Sequence, residues 1–297
     1  MIYPEEIITK PAKTFEEQCE QLKKHHIIIN DKEFCIKKLK QLNYYRLLGY
    51  FLPYKKKFDD DYYPVEFEKV IDFYDFDTEL RSWCILVLEE IEIFIRTQIA
   101  YHHATEYGPL DYLKKECFSD QEKYQGKINE LQKKFDDAIK FHAKDDVIEH
   151  HLEKYKGQFP IWVLVDYLKF TTLSIFFKCL KNSVKIKIIK SFPNPKMRYE
   201  EVESHLHCLS VLRNSCAHYE RLYYKIFSPP PKGVPETAGK RIFSRILAMR
   251  NLYPDITKWN DEMVPKLEQI INKYIKSINF EHIGFPQNEW QQAIRVQ

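Results

Sequence analysis

Glu79-Leu80-Arg81-Ser82-Trp83-Cys84-Ile85-Leu86-Val87-Leu88-Glu89-Glu90-Ile91-Glu92-Ile93-Phe94-Ile95 decides the fold class. With Val70 and Phe73 upstream, its apolar positions Leu80, Cys84, Val87, Leu88, Ile91, Phe94 and Ile95 recur every three or four residues, the period of a helix. The pattern predicts helix from about Glu66 to Tyr107, as two helices or one bent one, and Gly108-Pro109 stops it. Glu89, Glu90 and Glu92 interrupt the most apolar part, so the segment is a poor membrane span. Ile161 to Leu180 is broken in the same way by Asp166 and Lys169.

The same period runs outward in both directions. Upstream, Thr14-Phe15-Glu16-Glu17 has the spacing of a capping box, and Asn30 and Asp31 can cap a second helix that carries Phe34, Cys35, Leu39 and Leu42. That helix leads into Asn43-Tyr44-Tyr45-Arg46, after which Lys55-Lys56-Lys57 and Asp59-Asp60-Asp61 look like a solvated connector. Downstream, Asp120 to Lys156 is polar, compatible with an exposed helix or with disorder. Further helices are expected from Phe159-Pro160 through Leu180, over Tyr199 to Tyr219 and over Phe243 to Ile278, with Ser228-Pro229-Pro230-Pro231-Lys232-Gly233 as a rigid surface loop. Strict alternation is rare and the chain has 7 glycines, so the expectation is an all-α protein. An N-terminal helical region over residues 1–57 would precede a helical domain over 63–297, or the two would form one continuous domain.

With 297 residues, 44% of them hydrophobic, the chain can bury a core without staples, and a net charge of +3 excludes a global polycation field. Any nucleic-acid surface must be local. The 7 cysteines form neither a C-x-x-C pair nor a zinc quartet and read as reduced core thiols. Met1 to Lys10 does not resemble a secretory signal, so a cytoplasmic protein without a membrane span is expected. His25-His26, His150-His151 and His205 with His207 have no acidic or thiol partner at ligand spacing, and neither metal nor cofactor is assigned.

One segment has the residue types that RNA cleavage without a metal requires. One group must take the proton of the ribose 2′-hydroxyl, another must protonate the leaving 5′-oxygen, and a cation must steady the pentavalent phosphate. Histidine titrates near neutrality and arginine offers a planar, permanently charged fork. Arg213-Asn214-Ser215-Cys216-Ala217-His218 supplies one of each. Positions five apart on a helix point about 140° from one another, whereas positions four apart share a face. Asn214 is therefore the candidate to orient the His218 ring, and Arg213 must reach round or meet a second helix. One chain holds one clear copy, so a homodimer that places two copies across one cleft would complete the chemistry.

A second Arg…His spacing, Arg96 with His102 and His103, lies on the long helix. Its Glu92–Arg96 pair has the i, i+4 spacing of an ordinary structural salt bridge. Tyr44-Tyr45-Arg46 suits base stacking beside a cation, although such an aromatic stripe is more often core, and Arg221, Tyr223, Tyr224 and Lys225 follow His218 closely enough to hold substrate or to close a dimer.

Several further motifs run in order through nearly the whole chain. They are Phe15-Glu16-Glu17-Gln18, Leu42-Asn43-Tyr44-Tyr45-Arg46-Leu47-Leu48-Gly49-Tyr50, Tyr74-Asp75-Phe76-Asp77-Thr78-Glu79-Leu80-Arg81, Glu92 with Ile95-Arg96-Thr97, Tyr107-Gly108, Pro160-Ile161-Trp162, Leu212-Arg213-Asn214-Ser215-Cys216-Ala217-His218 and Gly284-Phe285-Pro286. With them the sequence resembles the Abi-like abortive-infection proteins of bacteria, in particular their AbiD/AbiF branch. The resemblance implies a HEPN-like helical bundle with an N-terminal helical extension, a toxin-like role in phage defence, and RNA cleavage through Arg213 and His218, with Asn214 as the polar residue after the arginine. It also implies an association with a small structured RNA, which would give Asn43, Tyr45 and Arg46 a part in binding RNA, alongside Arg96, Arg221, Tyr223 and Lys225. Phe170-Thr171-Thr172-Leu173 departs from the family, where a glycine is more usual at the second position. A non-catalytic RNA-binding or sensing protein, and a helical partner in a toxin–antitoxin pair, are the alternatives.

Overall fold

The computed structural model describes residues 11–58 and 61–296 and is helical almost throughout. The readings made for Met1 to Lys10, Asp59 and Asp60 lie outside the described residues. The chain divides into two compact units, Met1–Thr78 with Tyr274–Asn279, and Glu79–Lys273 with Phe280–Gln297. The division falls inside the long helix, between Thr78 and Glu79, and the connector expected near residue 60 lies within the first unit.

The first unit begins with α1 (Phe15–Lys24), where Thr14 Oγ1 accepts from the Glu17 amide at 3.2 Å and the Glu17 carboxylate accepts from the Thr14 amide at 2.7 Å. Both orphan donors of the first turn are thereby satisfied, as the capping-box spacing predicts. Strand β1 (Ile27–Ile28) follows, then α2 (Lys32–Gln41) and α3 (Tyr44–Phe51), with β2 (Val65–Glu66) pairing parallel to β1. Asp31 and Asn43 cap α2 and α3 through their side-chain oxygens. The expected solvated connector is instead a folded-back loop. Lys55 bridges Tyr62, and the Asp61 carboxylate pairs with His26 at 2.8 Å, Lys56 at 3.3 Å and His25 at 3.6 Å. One carboxylate drawn to three cationic or imidazole partners is a tie, which the run of like charges in the sequence conceals. Tyr50 donates to Asp77 at 2.8 Å within this unit's core.

The long apolar segment is a single helix, α4 (Phe67–Tyr107), of 41 residues. Gly108 ends it at φ +121°, a backbone conformation that side chains oppose, and Pro109 supplies no further amide donor.

The second unit adds α5 (Glu122–Phe141), α6 (Asp146–Lys154), α7 (Ile161–Leu164), α8 (Phe170–Cys179), α9 (Asn182–Ile189), α10 (Tyr199–Ala217) and α11 (Ile242–Leu252). The polar region 120–156 is ordered helix. In α5, Tyr124, Ile128, Leu131 and Phe135 form a buried stripe at helical spacing, packed on α8. In turn α8 packs on α10, and Thr172, next to the site of the family's usual glycine, is buried there. The helical section expected over 243–278 is present in pieces, with α11 ending before Tyr253-Pro254. Asp255 then caps α12 (Ile256–Lys258), which continues through a π-helical turn (Trp259–Met263) into α13 (Val264–Tyr274). Trp83 of α4 donates to the Met263 carbonyl at that turn, 2.9 Å away. Short helices α14 (Phe280–Ile283) and α15 (Trp290–Ile294) close the chain. The loop at 228–233 is clipped down by Arg245, which donates to the Pro229 carbonyl, and by His205, which donates to that of Lys232. Among the described residues, no helix is long and apolar enough to cross a membrane.

Candidate functional site

The C-terminal end of α10 presents the predicted segment. Arg213, Asn214, Ala217 and His218 are exposed, while Leu212, Ser215 and Cys216 face the interior. His218 is the C-cap residue, its amide still bonded to the Asn214 carbonyl at 2.9 Å. Tyr219 then turns to φ +56°, its amide donates to the Cys216 carbonyl, and the Glu220 amide donates to that of Ser215. These two bonds define a Schellman ending, which satisfies the last carbonyls but normally uses glycine where this chain has Tyr219. His218 is thus held by backbone alone. Among the described residues its ring makes no hydrogen bond, and the Asn214 side chain expected to orient it makes none either.

Arg213 does meet a second helix. Its Nε lies 3.6 Å from Glu92 Oε2 on α4, and the other oxygen of the same carboxylate pairs with Arg96. One carboxylate, 12% exposed, is therefore shared by two guanidiniums of different exposure, 15% for the Arg96 side chain and 44% for that of Arg213. Arg96 also donates to the Val165 carbonyl, so its fork is committed to structure. Arg213 is oriented by Glu92 but remains open to solvent, and exchanging such an exposed contact for a phosphate costs about 1 kcal/mol or less.

Behind His218 lies a compact polar network. Ser215 donates to Glu220 Oε2 at 2.8 Å, Lys225 pairs with the same carboxylate and lies 3.0 Å from Ser215 Oγ, and Arg81 donates to the Glu220 carbonyl at 3.3 Å. The Lys225 ammonium, then the Ser215 hydroxyl, hold the Glu220 carboxyl below the usual carboxylate range, and the charge of His218 contributes in the same sense. The sequence offered no signal for Glu220 beyond its position two residues past His218, and none for the reach of Glu92 to Arg213.

The other residues assigned to RNA are placed differently. Tyr223 is fully buried, with its hydroxyl hydrogen-bonded to His282 Nδ1 at 2.9 Å, so it offers no surface to a strand, because the chain dives into the core after Tyr219. Arg221 donates to the Tyr223 carbonyl at 2.8 Å. Asn43, Tyr45 and Arg46 belong to the first unit. There Asn43 spends its side-chain oxygen as a cap, Arg46 lies over the Tyr74 ring at 5.6 Å, and Tyr45 is exposed. His103 is fully buried among Tyr107, Phe118 and Phe176, without a partner for either ring nitrogen, and burial lowers its pKa to about 4. His102 contacts Ser191 Oγ at 3.3 Å. Among the described residues, no group of three or more His, Cys, Asp or Glu could hold a metal ion.

An all-helical chain with an exposed Arg…His helix end, braced by a carboxylate from a long partner helix, is the class that fold and site define. The model of the Abi-like protein family matches residues 37–224, which include α4, α10 and the whole Arg213–His218 segment, and the chain belongs to that family. Comparison with curated proteins and with solved structures gives no match.

Proposed function

We propose that this Abi-like protein is a metal-independent endoribonuclease of the HEPN type, of the AbiD/AbiF branch, acting in phage defence by abortive infection. The observation that carries this reading is the joint exposure of Arg213 and His218 at one helix end, with Arg213 aimed by Glu92 and not sequestered by it. His218 of one copy takes the proton from a ribose 2′-hydroxyl, and O2′ attacks phosphorus. The bond to O5′ breaks, and a second imidazole protonates the departing oxygen. Arg213 carries the charge that grows on the phosphate. The products are a 2′,3′-cyclic phosphate and a 5′-hydroxyl. Two imidazoles require two chains, and exposed apolar residues on both helices, Leu86 and Ile93 of α4 and Val211 of α10, are available to a homodimer contact.

The test is sequencing of RNA ends in cells that express the wild type or His218→Ala. New 5′-hydroxyl ends are expected with the wild type and not with the variant, and identical ends from both would overturn the assignment. A binding role without cleavage is the second reading, favoured by the lack, among the described residues, of a hydrogen bond that holds the His218 ring.

A further inference from the structure

The motif Pro160-Ile161-Trp162 has no part in the chemistry above, yet it places the chain's most exposed tryptophan. Trp83, Trp259 and Trp290 are buried to 3% exposure or less, whereas Trp162 is 54% exposed. It stands on α7, whose Ile161 and Leu164 are fully buried and whose first amide donates to the Pro109 carbonyl at 2.9 Å, so the indole is held out on a fixed turn. Tyr101 of α4, 63% exposed and edge-to-face with the His102 ring, lines the same groove of about 480 Å³. The small residues Ala100 and Ala104, four apart on α4, line it as well. Asp166 stands at the edge, exposed, without a hydrogen bond or ion pair among the described residues.

We propose that this groove is the stacking subsite for a guanine of single-stranded RNA, an inference that rests on the nuclease reading. Two exposed aromatic side chains lining one groove offer faces to a planar ring, and stacking on exposed aromatic side chains is how unpaired bases are held. The Asp166 carboxylate only accepts hydrogen bonds. Guanine alone among the RNA bases presents two adjacent donors, N1–H and N2–H, to a single carboxylate. The groove also adjoins the proposed phosphate site. Val165, which lines it, receives the hydrogen bond of Arg96, and Arg96 shares Glu92 with Arg213.

The experiment measures binding of 2′-O-methyl RNA oligomers, which lack the attacking hydroxyl, to the full chain through tryptophan fluorescence and anisotropy. An oligouridine carrying one guanine is compared with oligouridine alone. The expected result is quenching and tighter binding for the guanine oligomer, weakened about tenfold or more in Trp162→Ala. Trp162→Phe should retain binding, and Asp166→Asn should erase the preference for guanine. Equal affinity of wild type and Trp162→Ala for both oligomers would overturn the proposal. So would a change of oligomeric state in Trp162→Ala, measured by light scattering, since it would make the patch a subunit contact. Binding with quenching but no cleaved ends in cells would remove the nuclease reading and leave the groove standing. Unchanged cleavage, KM and base preference in Trp162→Ala would do the reverse.

Discussion

Two helices of this protein carry an arginine followed within a few residues by a histidine, and their surroundings could hardly differ more. On α4, Arg96 is clamped by Glu92 and the Val165 carbonyl, and His103 is sealed among three aromatic rings. On α10, Arg213 touches the same Glu92 from an exposed position, and His218 stands exposed at the helix end, its ring without a hydrogen bond among the described residues. Residue types and spacing are nearly shared, whereas burial is opposite. A group that must exchange protons or grip a phosphate has to be solvated and uncommitted, and of the two segments only the second meets that condition.

The comparison is broken most sharply by exchanging roles between the arginines. Arg213→Ala should lower RNA cleavage about a hundredfold or more, as loss of a transition-state cation does, while the unfolding free energy changes by less than about 0.5 kcal/mol. Arg96→Ala should do the opposite. It leaves the nearly buried Glu92 carboxylate to Arg213, 3.6 Å away, and removes the donor to the Val165 carbonyl, at a cost of about 2 kcal/mol, below the roughly 3–5 of a fully buried pair. Single-turnover cleavage and urea unfolding on the two variants check both halves. An Arg96→Ala protein that is stable but inactive would move the candidate site onto α4.

Which parts of this arrangement were legible in the sequence follows from range. The caps at Thr14 and Asp31 act over two or three residues and are readable as such, and the period of α4 needs only its own side chains, whereas the capping role of Asn43 emerges only in the structure. The α5 stripe is hidden because Tyr124, Ile128, Leu131 and Phe135 are spread singly through a strongly charged stretch. Strands of two residues each leave no alternation to detect. For the site, the Arg213–His218 segment is legible because it is local to one helix, but Glu92 meeting Arg213 is a tertiary event. Tyr223 was misplaced for a related reason: nearness to His218 along the chain ceases to mean nearness to solvent once Tyr219 reverses the backbone.

The histidines sharpen the contrast at smaller scale. His103 has a pKa near 4, below the ordinary imidazole value, so the unfolded chain binds the extra proton between about pH 6.5 and 4. Its contribution to stability is therefore complete above that window and is lost as pH falls through it. His205, also buried and also near 4, behaves in the same way. His103→Phe should remove about half of the resulting slope in urea midpoint against pH, and should raise stability at neutral pH by about 1 kcal/mol through deletion of two unpaired ring nitrogens. An unchanged slope would mean that His103 is hydrated or paired in solution.

The smallest effect expected is at Tyr219, where an L-residue occupies the left-handed position that ends α10. Left-handed backbone costs such a residue about 1 kcal/mol relative to glycine, and loss of the interaction Tyr219 makes offsets part of that gain. Tyr219→Gly should therefore raise the unfolding free energy by about 0.5 kcal/mol, read as a higher urea midpoint at constant m-value. The two capping bonds depend on backbone alone, so His218 keeps its place and cleavage should stay within about twofold of wild type, whereas α4, which ends in a glycine at Gly108, has no equivalent cost to relieve. If the variant were more stable yet cut RNA far more slowly, the strained tyrosine would be part of what holds His218 ready, and exposure alone would no longer separate the two helices.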